Sequence, residues 1–300
     1  MAKLTKAFLI IVTMGFLYSC GTGSSTSTES KNIVSVSILP QKYIIDKLSD
    51  STIQVNVLVP PSSSPEMYEP TPKVLKDLSK SSVYMAIGPL PFEQELVKKI
   101  RDINPELNIV IHAENRDLLE DNCGHSHHHH KGAHSHMDPH IWSSPKEYKH
   151  MAQQSLEALI KAFPNKADLF NQNMIALSAE IDAIDSLFAR ISASAKIKKL
   201  LIFHPALGYL VRDYNLEQQA LEEDGKSPSA EKVKNMISTN RGVSVVFIQT
   251  QFDTKNAEVL AWELGAEVYP INPLGYNWPN EMRILAKGVT LATKSDFNIE

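Results

Sequence analysis

Residues 166–195 read KADLFNQNMIALSAEIDAIDSLFARISASA, and their spacing decides the fold. Phe170, Met174, Leu177, Ile181, Ile184, Phe188 and Ile191 recur every three or four residues, the period of one apolar stripe on an α-helix. At 1.5 Å per residue, one uninterrupted helix here spans roughly 45 Å, longer than a single lobe is wide. A break near Ser178 would give two ordinary helices instead. The single rod is the preferred reading. It would join two lobes and resist the large hinge motion that a flexible two-strand linker allows.

On either side of the rod the pattern alternates between strands and helices. Residues 33–39 (IVSVSIL) are β-branched and alternating, and 52–59, 83–87 and 108–111 read the same way. Helical patterns at 42–48, 72–79 and 92–100 lie between them. Thr71-Pro72 has the form of an N-cap followed by proline at the first helical position, where its missing N–H costs nothing. After the rod, strands are expected at 199–203, 243–248 and 267–271, and helices at 229–239, 254–264 and 279–293. Such alternation implies βαβ units and parallel sheets. The expected fold class is α/β: two lobes with parallel-rich sheets flanked by helices, joined by one long rigid backbone helix. The expected division is an N-terminal lobe over 32–164, the linking helix over 165–196 and a C-terminal lobe over 197–300. About 280 residues suffice for two lobes with cores of their own.

The chain's start reads as a bacterial lipoprotein signal over residues 1–19. Lys3 and Lys6 are followed by a short apolar run and then Leu17-Tyr18-Ser19-Cys20-Gly21, with cleavage before Cys20 and lipid on its thiol. The apolar run is too short for a spanning helix. Residues 20–31, rich in Gly, Ser and Thr, read as a flexible tether. Losing Lys3 and Lys6 would take the formal charge from −4 to −6. A mildly acidic chain without a basic block disfavours nucleic acid as a partner. With Cys20 lipidated, Cys123 stands alone, so no disulfide is expected; it is a surface thiol or a soft metal ligand.

Eight of the eleven histidines fall in residues 125–140, HSHHHHKGAHSHMDPH. Imidazole is the commonest side-chain metal ligand, so the tract points to a divalent transition metal. It is internal and therefore not a terminal purification tag. Within a histidine-rich loop over 123–136, His125, His127, His128, His129, His130, His134 and His136 are expected to form an accessory metal loop. His140 belongs to a different arrangement. Glu66, His140, His204 and Asn272 all follow the carboxyl ends of expected strands, the edge at which open α/β sheets bind ligands. Two lobes facing each other through those edges would bring the four into one cleft. His112 and His150 are isolated and read as structural.

Four segments carry a resemblance. Pro65–Pro72 (PEMYEPTP), Asp138–Pro145 (DPHIWSSP), Phe203–Leu210 (FHPALGYL) and Phe252–Ala257 (FDTKNA) resemble, in order, the motifs of the metal-binding proteins of zinc and manganese ABC importers, the ZnuA/TroA-like group. The resemblance covers residues 33–294. It implies a rigid backbone helix, and a binding protein rather than an enzyme, which takes a divalent metal outside the cytoplasmic membrane and passes it to an ABC permease. A histidine-rich insertion ahead of the D-P-H motif is similar to that of the zinc-handling members. The family usually has histidine where this chain has Glu66, and its manganese members have aspartate where this chain has Asn272. The implied ligands are Glu66, His140 and His204, with Asn272 a weak fourth. Two imidazoles and a carboxylate suit zinc with water in the last position, and Mn2+ less. Asp138 and Trp142 would support the ligands, and Glu69 the loop. Further expectations are a monomer, lipid-anchored and facing the periplasm or the cell exterior. Two other functions fit two histidines, a carboxylate and a water: a lipid-anchored metallo-hydrolase, and a surface adhesin in which the metal is only structural.

Overall fold

A computed structural model describes residues 32–120, 137–222, 228–252 and 255–299. The signal, the tether, Cys123 and the accessory histidines lie outside the described residues. In the first lobe, β1 (Ile33–Val36), α1 (Leu39–Ser49), β2 (Gln54–Val57), α2 (Pro72–Leu78), β3 (Val83–Ala86), α3 (Pro91–Ile103) and β4 (Asn108–Ile111) alternate, and α4 (Pro145–Ala162) follows. The rod is α5 (Ala167–Ala193). The second lobe runs β5 (Lys199–Ile202), α6 (Gly208–Asp213), β6 (Glu217–Ala220), α7 (Ala230–Thr239), β7 (Val245–Gln249), α8 (Lys255–Leu264), β8 (Glu267–Ile271) and α9 (Trp278–Thr293).

Both sheets are parallel and share one topology, β2-β1-β3-β4 and β6-β5-β7-β8. Each reverses direction beside its first strand, which opens a crevice at the strands' carboxyl ends. The central strands β1, β3, β5 and β7 are buried almost throughout, as expected where helices cover both faces.

α5 is one continuous helix of 27 residues that passes through Ser178 unbroken, which makes it about 40 Å long. Phe170, Met174, Leu177, Ile181, Ile184, Phe188 and Ile191 form its buried stripe. One end packs on α1 and α4 and the other on α9. The two lobes do not keep separate cores. A single apolar cluster runs from Val34 and Ile44 through Trp142, Tyr148 and Ile181 to Phe247, Trp278 and Ala292. A second cluster, around Leu201, Val246, Ile248 and Leu260, lies elsewhere in the second lobe.

Polar contacts fasten the lobes as well. The Trp278 ring stacks on Tyr148 at 3.8 Å between centroids and 7° between planes, while its indole N–H donates to the Trp142 carbonyl at 2.8 Å. Tyr276 donates to Asp46 at 2.8 Å. Glu147 receives Arg116 from its own lobe at 2.8 Å and Arg212 from the other at 2.6 Å. Burial alone would raise the Glu147 pKa, but the two guanidiniums hold it below the usual carboxylate range.

The sequence leaves three elements unread: α4, α6 and β6. At α2, Thr71 takes the N-cap position and Pro72 the first helical one, but the Thr71 side chain makes no capping hydrogen bond.

Candidate metal centre

The centre is assembled from loops at the carboxyl ends of strands in both sheets. Glu66 sits on a short 3-10 turn, Pro65–Met67, in the long loop after β2. His140 lies at the start of another, Ile141–Ser143, just ahead of α4. His204 stands two residues past β5. A ligand-capable atom from each lies within 4.8 Å of the other two, the only such cluster of His, Cys, Asp or Glu among the described residues. The two imidazoles meet Nε2 to Nε2 at 3.3 Å. Glu66 reaches His204 Nε2 at 3.0 Å and His140 Nε2 at 3.9 Å. Beside them Trp142, Gln249, Gln251, Phe252, Pro273 and Leu274 help to line a cavity of about 20 Å³. That is room on the order of one water molecule.

Both histidines are buried and held from behind. Asp138 Oδ1 lies 2.8 Å from His140 Nδ1 and also accepts the His140 backbone N–H at 2.8 Å. A carboxylate only accepts, so Nδ1 carries the proton and Nε2 faces the cavity. The Trp142 ring packs against His140 with centroids 5.1 Å apart. Asp138 and Trp142 thus stand where the sequence placed them, beside His140.

His204 is held more extensively. Glu222 Oε2 lies 2.6 Å from its Nδ1. The Gln249 amide clamps its backbone, donating to the His204 carbonyl at 2.6 Å and accepting its N–H at 3.3 Å. Phe252 stacks on the ring at 4.9 Å. Burial pulls the His204 pKa down, but the hydrogen bonds to Glu222 and Glu66, with their negative charges, outweigh it and push it up to about 10. Without metal, the imidazole is therefore a cation bridging two carboxylates, and the proton on Nε2 occupies the direction a metal would take.

The spacing fits tetrahedral zinc. Zn–N bonds of 2.0–2.1 Å place two ligand nitrogens about 3.3–3.4 Å apart, and the imidazoles already stand at 3.3 Å. The Glu66 carboxylate spans the pair, with Oε2 3.0 Å from His204 Nε2 and Oε1 3.9 Å from His140 Nε2, so an oxygen ligand stands beside both nitrogens.

A family model described as zinc-uptake complex component A, periplasmic, matches residues 34–285. The chain belongs to that family. Zinc-uptake component A proteins are metal-binding solute-binding proteins of ABC metal importers and not enzymes, which sets the hydrolase reading aside. A putative metal-binding protein of Chlamydia muridarum is 27% identical over 226 residues, 75% of each chain. The zinc-binding lipoprotein AdcA of Streptococcus pneumoniae is 23% identical over 90% of this chain, which spans only 55% of AdcA's length. A crystal structure of a ZnuA deletion mutant with zinc bound superposes with a TM-score of 0.77 and 32% identity, covering 89% of this chain and 99% of that one.

The remaining candidates fall away from the cavity of this zinc-uptake family member. Asn272 does not line it; its side-chain oxygen accepts from Gln251 Nε2 at 2.9 Å, and Gln251 and Pro273 form the wall instead. Glu69 is exposed and faces a separate groove beside α2 and α3. His150 is exposed on α4. His112 is fully buried between Gln41 Nε2 at 3.0 Å and Ser155 Oγ at 3.2 Å, and burial drives its pKa down to about 3, so it is neutral and structural. Glu222 and Gln249 are absent from the sequence reading. Glu222 depends on β6, whose residues EQQA give no strand signal, and Gln249 has no motif to distinguish it.

Proposed function

We propose that this chain captures Zn2+ between its lobes with Glu66, His140 and His204 and delivers it to an ABC permease. The observation that carries the reading is the 3.3 Å separation of two imidazole Nε2 atoms with a carboxylate beside both. A water completes a four-coordinate site. Zinc is favoured over manganese for two reasons. Nitrogen-containing sites follow the Irving–Williams order, and manganese seeks more oxygen ligands. Moreover, the second lobe lines the cavity with the neutral amides of Gln249 and Gln251, where a carboxylate would serve a harder ion.

In the same reading residues 1–19 are a signal, Cys20 carries lipid, and 20–31 tether a monomeric domain outside the cytoplasmic membrane. The histidines of loop 123–136 offer weaker accessory sites that raise the local metal concentration. Competitive titration of the domain with zinc and manganese tests the proposal. Zinc should win by at least about 100-fold, or roughly 2.7 kcal/mol. His140→Ala and His204→Ala should each abolish tight binding. Wild-type affinity in either variant, or even competition from manganese, would rule the site out.

A further inference from the structure

The two lobes build their halves of the centre alike: a histidine whose Nε2 faces the cavity and a buried carboxylate on its Nδ1. In the first lobe that carboxylate is Asp138, two residues from His140 in the same loop. In the second it is Glu222, 18 residues from His204 in sequence, reached through the sheet. β5 and β6 pair in parallel with Leu201 opposite Gln219 and Ile202 opposite Ala220. Continuing that register by two residues places His204 beside Glu222.

The backbone around Glu222 is fixed on both sides. Its N–H donates to the Phe203 carbonyl at 2.8 Å, and its own carbonyl receives Lys232 Nζ at 3.0 Å. Its side chain is 6% exposed, and that of His204 is also 6%. A carboxylate buried to this degree is costly unless paired, and the imidazole is what pairs it. An imidazole offered to a metal without such a partner can turn about its Cβ–Cγ bond or present either nitrogen.

We propose that Glu222 is the positioning residue of the metal centre, holding the proton on His204 Nδ1 so that Nε2 alone meets the ion. The hydrogen bond fixes the ring plane and its tautomer, and the negative charge makes Nε2 a stronger donor to a dication. Glu222 itself does not touch the metal. This rests on the reading of His204 as a ligand.

The test compares wild type, Glu222→Ala, Glu222→Gln and His204→Ala by zinc competition against a chromophoric chelator. The His204 ring is also followed by ¹H–¹⁵N NMR in the zinc-loaded protein. Glu222→Ala should weaken zinc 10- to 100-fold. It should also lose the exchange-protected Nδ1–H signal. Glu222→Gln, close in shape and still able to accept from Nδ1–H through its amide oxygen, should lose less than tenfold and keep the signal. Wild-type affinity in Glu222→Ala, equal losses in the two Glu222 variants, or zinc bound through Nδ1 in the wild type would overturn the proposal. If His204→Ala binds zinc normally, the site itself is wrong. If His204→Ala fails to bind while Glu222→Ala binds normally, the site stands and only the role of Glu222 falls.

Discussion

Zinc binding should release a proton from His204 at pH values where an ordinary histidine has none to give. With a pKa near 10, the metal-free ring is about 97% protonated at pH 8.5, whereas an unperturbed imidazole of pKa 6.5 would be about 1% protonated. The sign follows from competition. The ion needs the Nε2 lone pair, and below pH 10 a proton holds it, so apparent affinity falls as pH falls. Each unit between about pH 10 and 7 should therefore cost about tenfold, or 1.36 kcal/mol, from this group alone. Calorimetric titrations in buffers of different ionisation enthalpy count the protons released, and the His204 ring can be followed directly by NMR in the metal-free protein. About one proton per zinc should be released from His204 at pH 8.5. An affinity that levels off above pH 7.5, with an NMR midpoint near 6.5, would refute the bridging of His204 by Glu222 and Glu66.

The same cation bears on metal-free stability. Because its folded pKa is raised, the His204 contribution is complete below its unfolded value near 6.5 and is lost as pH rises through about 10, so wild type should lose more of its melting temperature over that window than His204→Asn. Glu66→Ala should weaken zinc at least about tenfold, Glu66→His should keep or strengthen it, and Glu69→Ala should leave it unchanged, all by chelator competition. A Cβ at Gly208 would stand 2.5 Å from Asp138 Oδ2, so Gly208→Ala should displace Asp138 from His140 and lower zinc affinity about tenfold, read beside the melting temperature. Trp278→Ala removes a buried ring stacked on Tyr148 and should cost about 3–5 kcal/mol in denaturant unfolding.

What the sequence revealed depended on whether a residue's partners are local. The α5 stripe is visible because its period belongs to the helix itself. β4 and β8 coincide with the expected residues 108–111 and 267–271, since IVI and the VYPI run are apolar in their own right. β6 has no such signal: EQQA is a strand because β5 offers it a parallel ladder, and with it Glu222 becomes invisible. α4 carries a local signal of its own, for Ser144 caps it and Tyr148, Met151, Ala152, Ser155 and Leu159 form a helical stripe. Glu66, His140 and His204 were placed by strand ends and motif. Asn272 stood at the right strand end, yet which atom turns inward was decided by Gln251, a matter of packing.

The joined core and the fastenings between lobes bear on how long an ion stays. With Trp278 stacked across the boundary and Glu147 gripped from both sides, parting the lobes would break several buried contacts at once, which makes it a rare event. His140 and His204 are backed by buried carboxylates, whereas Glu66 rides on a surface loop with 14% of its side chain exposed. Of the three side chains Glu66 is the most exposed, so exchange of an ion with solvent should pass on its side of the cavity.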